Sequence, residues 1–108
     1  MNKELQRCIN SWCLDAMARV NDDIGENGLS RNGDRLRCCR AFVYETSNYY
    51  ILQSYNSFGV AIIDKNTKQC YDLLRYVYGY TSTSAQHISK FWHDYGDTKI
   101  PRYTYRII

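Results

Sequence analysis

The feature that most narrows the folds open to this chain is a pair of apolar runs joined by a polar turn. Val60-Ala61-Ile62-Ile63 leads into Asp64, Lys65-Asn66-Thr67-Lys68 intervenes, and Gln69-Cys70-Tyr71-Asp72-Leu73-Leu74 follows. Short runs rich in Val, Ile and Tyr, bounded by turn residues, read as the two strands of a hairpin. Residues 60–63 are apolar on both faces, which places that strand in the middle of a sheet. The spacing predicts strands over 36–46, 49–55, 59–64 and 69–74, with Ser47-Asn48 as a two-residue turn between the first two. Close sequential hairpins favour an antiparallel meander.

The flanks of the meander are helical. In residues 3–20, Leu5, Cys8, Ile9, Trp12, Cys13, Ala16, Met17 and Val20 recur at helical spacing, with Lys3, Glu4, Arg7, Asp15 and Arg19 on the other side. Trp12 is the expected anchor of that stripe, being its largest apolar surface. Residues 21–35 contain three glycines among repeated Asn and Asp, and read as a loop. Residues 75–80 alternate Tyr76, Tyr78 and Tyr80 against Arg75, Val77 and Gly79, as a strand or an extended loop would. Thr83-Ser84-Ala85-Gln86 matches a capping box, opening a helix that runs to Tyr95 and stops at Gly96. Tyr103, Tyr105 and Ile107 alternate in a final strand. The expected fold is a single α+β domain over 1–108: an antiparallel meander of four or five strands packed by one face against the N-terminal helix and a second helix near the C-terminus. Its expected core holds Ile9, Trp12, Phe42, Val60, Ile62, Leu73, Ile88, Phe91 and Trp92.

At 108 residues with 44% apolar side chains, the chain is long enough for one packed core. Five cysteines at irregular spacing argue against a disulfide framework. Met1 to Arg7 carries scattered charge and no apolar signal core, and no run is long enough to span a membrane. The expected location is therefore cytoplasmic, with reduced thiols. Net charge is +3 but uneven: residues 1–34 carry a net −2 and residues 35–108 a net +5. The strand-rich part is the basic part and suits an acidic partner.

Catalytic signatures are missing. Cys8 and Cys13 diverge on a helix, Cys38 and Cys39 point to opposite sides of a strand, and His87 and His93 diverge too, so no metal-ligand set forms. Cys38 or Cys39 with His87, flanked by Arg35, Arg37 and Arg40, is the one conceivable nucleophile pair, but it lacks an orienting acid. No cofactor is expected. The basic row Arg31, Arg35, Arg37 and Arg40 is suited to tracking a phosphate backbone or to solvating a sheet edge. Thr83, Ser84 and His87 at a helix start are an expected anion contact, beside the commoner reading of ordinary capping. Eleven tyrosines are the largest compositional anomaly. Tyrosine offers large contact area at low entropy cost, so Tyr76, Tyr78, Tyr80, Tyr103 and Tyr105 are expected to form a partner-binding surface with the arginines.

Two stretches, Q-S-Y-N-S-F-G-V-A-I-I-D-K-N-T-K at 53–68 and Y-G-Y-T-S-T-S-A-Q-H-I-S-K-F at 78–91, carry a recognisable pattern. It resembles that of a family of small proteins of unassigned activity carried by phages and mobile elements of gut bacteria. The matching positions are Ser54, Tyr55, Ser57, Val60 and Ala61, then Thr83, Ser84, His87, Ile88 and Phe91. The likeness covers the C-terminal half and transfers no catalytic residue. It implies a phage context, in which small single-domain proteins act by binding, as anti-defence and anti-CRISPR inhibitors do. The first expectation is thus an inhibitor that occludes a host defence complex, a CRISPR–Cas effector foremost, in the host cytoplasm. The alternative is a small basic nucleic-acid-binding module. An enzyme using a cysteine or the Thr83–His87 segment ranks last.

Overall fold

The computed structural model describes residues 2–30, 33–36, 40–78 and 81–108. Arg31, Arg37, Cys38, Cys39 and Tyr80 lie outside the described residues, and with them the cysteine half of the nucleophile pair. The order of elements is α1 (Lys3–Asn27), β1 (Asp34–Arg35), β2 (Ala41–Glu45), β3 (Tyr49–Ser54), β4 (Ser57–Asp64), β5 (Cys70–Asp72), α2 (Leu74–Val77), α3 (Ser82–Tyr95) and β6 (Tyr103–Thr104). This is an α+β fold. The six strands lie in sequence order in one sheet, antiparallel from β1 to β5, with β6 parallel to β5. The expected meander is present, extended by two short edge strands. Parallel pairing of β6 follows from its connection, because the chain crosses over through α2 and α3 before returning.

Turn chemistry sets the register. Ser47-Asn48 closes the β2–β3 hairpin, with the Thr46 N–H donating to the Tyr49 carbonyl at 2.9 Å. Asp64 organises the next expected turn: its Oδ1 accepts from the Asn66 N–H at 2.8 Å, and its carbonyl accepts from the Lys68 N–H at 2.8 Å. The β3–β4 turn is tighter than the sequence suggests. Ser54 pairs with Ser57, so Tyr55 and Asn56 are the turn, and Tyr55 takes φ +55°. Gly59, at φ +82°, sits in a bulge where the β3–β4 register shifts. A side chain there would be strained whatever the space around it.

The sequence reading puts both helices on one face of the sheet; the structure puts them on opposite faces. Ile9, Cys13, Ala16 and Val20 of α1 bury against Tyr49, Ile51, Ile62, Tyr71 and Leu73. Ile88 and Phe91 of α3 bury against Ala41, Val43, Leu52, Ala61 and Ile63. Strands apolar on both faces need a layer on each side, and the second helix supplies it. Of the expected core, Ile9, Val60, Ile62, Leu73, Ile88 and Phe91 are buried. Trp12, at 40% exposed, is not, and Phe42 and Trp92 are only partly covered. The small side chains Cys13 and Ala16 hold the contact line and let α1 approach closely, which leaves Trp12 on its shoulder.

Helix α1 runs through much of the expected loop. Asp23 and Asn27 share one face, and the Asn27 amide donates to the Asp23 carboxylate. Its other oxygen accepts from the Asn48 N–H at 3.0 Å, tying the extra turns to the β2–β3 hairpin. That anchorage offsets the roughly 1 kcal/mol a mid-helix glycine such as Gly25 costs. Gly28, at φ +84°, ends the helix. Of the expected strand or extended loop at 75–80, Arg75, Tyr76 and Val77 lie instead in the helical turn α2, and residues 79 and 80 lie outside the described residues. The Asp72 Oδ1 accepts from the Leu74 N–H at 3.1 Å, and the Leu73 carbonyl accepts from Val77. Helix α3 is capped by Thr81, whose hydroxyl accepts from the Ser84 N–H at 3.2 Å, two residues before the expected Thr83. Among the described residues no helix is long and apolar enough to cross a membrane.

Candidate functional site

The C-terminal strand has a two-faced sequence, Arg102-Tyr103-Thr104-Tyr105-Arg106. Alternation in an extended chain sends its members to opposite sides of the sheet. Tyr103 and Tyr105 pack on the α1 side. Arg102, Thr104 and Arg106 face the α3 side, where they line a cleft of about 210 Å³ with Asp72, Leu74, Arg75, Ala85 and Ser89. A second cleft of about 210 Å³, lined by Arg75, Arg106 and Ile107, adjoins it through the two shared arginines. Three guanidiniums therefore gather around one carboxylate.

This edge is held firmly. The Gln6 amide donates to the Thr104 carbonyl at 3.0 Å. Asn10 engages both backbone groups of Arg106: its amide donates to the carbonyl at 2.8 Å, and its Oδ1 accepts from the N–H at 3.1 Å. Helix α1 thus covers the outer edge of β6 with side-chain amides that act as a surrogate strand. The Arg102 guanidinium stacks over Trp92 at 4.8 Å and reaches the Ser89 hydroxyl at 3.5 Å. Burial pushes the Asp72 carboxyl above the usual aspartate range; the Leu74 N–H, Arg102, Arg75 and Arg106 oppose that rise. On the other face of β6, Tyr105 makes an edge-on ring pair with Tyr76, centroids 5.1 Å apart, and the Tyr103 ring lies 4.9 Å from that of Trp12. Tyr76 is half exposed.

A second constellation lies at the β3–β4 turn. Ser54 Oγ is 2.9 Å from His87 Nδ1 and 2.9 Å from Ser84 Oγ. All three side chains are buried, His87 to 2% exposure, and the Tyr55 ring lies 5.8 Å from the imidazole. Tyr55, Tyr78, Thr81, Thr83 and Ser84 line a cleft of about 280 Å³ above them. Of the expected anion contacts, Thr83 and Ser84 border this cleft, while the His87 Nδ1 is directed to Ser54. The trio pins α3 to β3. Beyond Tyr55, a further cleft of about 200 Å³ is lined by Arg40, Phe42, Gln53, Tyr55 and Asn56.

The expected partner surface is divided. Arg35 is exposed on β1, one edge of the sheet, whereas Tyr103 and Tyr105 belong to the opposite edge. Arg40 and the 65%-exposed Tyr78 accompany Tyr55. Tyr76 accompanies Tyr105, because the helical turn α2 removes the shared face that an extended chain would give Tyr76 and Tyr78. Among the described residues two tyrosines are interior: Tyr49 and Tyr71, the former accepting from the Arg19 Nε at 3.1 Å.

Arg75, Arg102 and Arg106, which line one cleft together, are absent from the sequence-based site. The period-two pattern at 102–106 signals the last two; Arg75 needed the tertiary structure. Burial pushes the Cys13 thiol up to about 12 and raises Cys70 as well, so both are poor nucleophiles. Among the described residues no three His, Cys, Asp or Glu side chains gather to hold a metal ion. Comparison of the chain with protein-family models, with curated proteins and with solved structures found no match.

Proposed function

We propose that this protein is a small binding module, working by recognition rather than chemistry, and that nucleic acid is held along its β6 edge. The observation that carries this reading is the convergence of Arg75, Arg102 and Arg106 on one cleft, with the half-exposed Tyr76 next to Arg75 in the chain. Guanidiniums recognise phosphate oxygens with paired N–H donors, and an exposed ring offers a stacking platform for an unpaired base. The combination suits a single strand better than a duplex, whose bases are already stacked. Gel-shift titration of labelled single strands at two salt concentrations tests it. Three phosphate contacts predict a log–log salt slope of roughly −2, at about −0.7 per contact. Tyr76→Ala is expected to weaken binding by about 1–3 kcal/mol, the worth of one stacked base. Absence of any shift with single- or double-stranded substrate rejects the reading.

A second reading, a phage-derived inhibitor that occludes a CRISPR–Cas effector or another defence complex in the bacterial cytoplasm, is favoured by the other aromatic end. Tyr55, Phe58 and Tyr78 are exposed there, and Tyr44 meets Phe58 edge-on at 5.6 Å. Pre-ordered rings of this kind anchor protein interfaces. The mildly basic chain is no mimic of DNA, so such an inhibitor would block a protein surface or a protein–nucleic acid junction. Recovery of an effector subunit on the immobilised protein, lost in Tyr78→Ala, is the expected result. Unimpaired interference in cells expressing the protein would reject this second reading.

A further inference from the structure

We infer that the cleft between β5, β6 and α3 takes a phosphate monoester, the dianionic group found at a strand terminus or on a free nucleotide. This deepens the nucleic-acid reading and rests on the same arginines. Arg75, Arg102 and Arg106 set against Asp72 leave two net positive charges at the cleft, the complement of a dianion. A monoester has its second pKa near 6 and carries about −1.5 to −2 at neutral pH, whereas each internal diester of a strand carries only −1. The neutral wall fits the same ligand. Ser89 and Thr104 place hydroxyls on the cleft, and Leu74 and Ala85 supply apolar contact to whatever the phosphate esterifies.

Pre-organisation favours the site as well. Stacking on Trp92 and contact with Ser89 orient Arg102, and the paired Asn10 bonds fix the backbone of Arg106. A guanidinium held in place loses less side-chain entropy when the anion arrives. The adjoining cleft at Arg75, Arg106 and Ile107 continues away from the first. A chain whose terminal phosphate occupies the first cleft has a path through the second, past Arg75, Arg106 and Ile107.

The test compares matched single-stranded oligonucleotides bearing a 5′-phosphate, a 3′-phosphate or hydroxyls at both ends, together with a nucleoside monophosphate and inorganic phosphate, by fluorescence anisotropy and calorimetry. One phosphorylated oligonucleotide is expected to bind roughly tenfold to a hundredfold tighter than the hydroxyl-ended one, the span of charge-assisted hydrogen bonds. Arg106→Gln and Arg102→Gln should each shrink that preference, with melting temperatures showing that both variants fold. Arg106→Lys, which keeps charge but not the paired donors, should restore only part of it. Equal affinity for all three oligonucleotides overturns this inference and leaves the nucleic-acid reading standing. Binding of the monophosphate or of phosphate without any oligonucleotide supports the cleft's ligand class and removes the nucleic-acid reading. No binding by any probe overturns both.

Discussion

At the β5–β6 edge, Arg75, Arg102 and Arg106 line clefts, while Tyr105, paired with Tyr76, packs on the other face of the strand. At the β3–β4 turn, Tyr55 and Tyr78 line a cleft backed by Ser54, Ser84 and His87, with Ser54 Oγ in hydrogen-bond contact with both of the others. Both regions expose rings, and both lie where strand meets helix. The difference is in what the nearby polar groups do. At the turn they close an internal network that joins α3 to β3. At the edge, side chains of α1 satisfy the backbone of β6, which leaves the strand's arginine face turned toward the cleft. An aromatic surplus therefore does not define one surface: the polar groups near each ring separate a buried structural seam from an arginine-lined cleft.

The sharpest way to break this contrast is Ser54→Ala. It removes both bonds at the centre of the buried trio, and a lost partner for a buried polar group costs about 1–3 kcal/mol. Urea unfolding should show that loss while affinity at the arginine edge stays unchanged. A large change in phosphate or oligonucleotide affinity would mean that the two regions are coupled. A smaller stability effect, of about 1 kcal/mol, is expected for Asn10→Ala, which leaves the Arg106 backbone to solvent. Here binding should weaken several-fold although the residue touches no ligand, and amide exchange at 104–106 should accelerate. Unchanged affinity would show that the guanidiniums need no fixed backbone.

The smallest effect is one of sign. Thr46 and Asn27, then the Asn48 N–H, hold the Asp23 carboxyl below its ordinary 3.8, so its contribution to stability is complete above that value and is lost as pH falls through the folded-state value. Burial raises Asp72 above 3.8, so its contribution is present below 3.8 and is lost as pH rises through the folded-state value. Acid titrations of stability for Asp23→Asn and Asp72→Asn should therefore depart from the parent in opposite senses. The same sense in both would contradict the assigned environments. Asp72→Asn should also tighten inorganic phosphate several-fold, by removing the one negative charge on the cleft.

Much of the fold was legible because its determinants are local. The apolar stripe of α1, the Ser47-Asn48 and Lys65–Lys68 turns, and the strand runs at 49–55 and 60–63 each reflect a neighbour-to-neighbour preference. The errors share another cause. The 21–27 stretch looks like a loop by its Asn, Asp and Gly content, yet Asp23 gains partners on a distant hairpin that keep it helical. The 75–80 alternation looks extended, yet Asp72 and Leu73 start a helical turn. Trp12 looks like a core anchor, but the smaller Cys13 and Ala16 set how closely α1 meets the sheet. Of the candidate site, the tyrosines and the basic bias were visible. The grouping of Arg75 with Arg102 and Arg106 was not, since the two segments lie on either side of α3 in the chain.

By itself the chain's order of residues determined most of the segments that are strands and helices and where most of the hairpins turn. Those outcomes follow from side-chain period and turn stereochemistry, which act over a few residues. Only the tertiary structure decided which helix covers which face, that the last strand returns parallel to β5, and which arginines meet around Asp72. These depend on how a long crossover closes, and closure is settled by the summed packing of both layers rather than by any local preference.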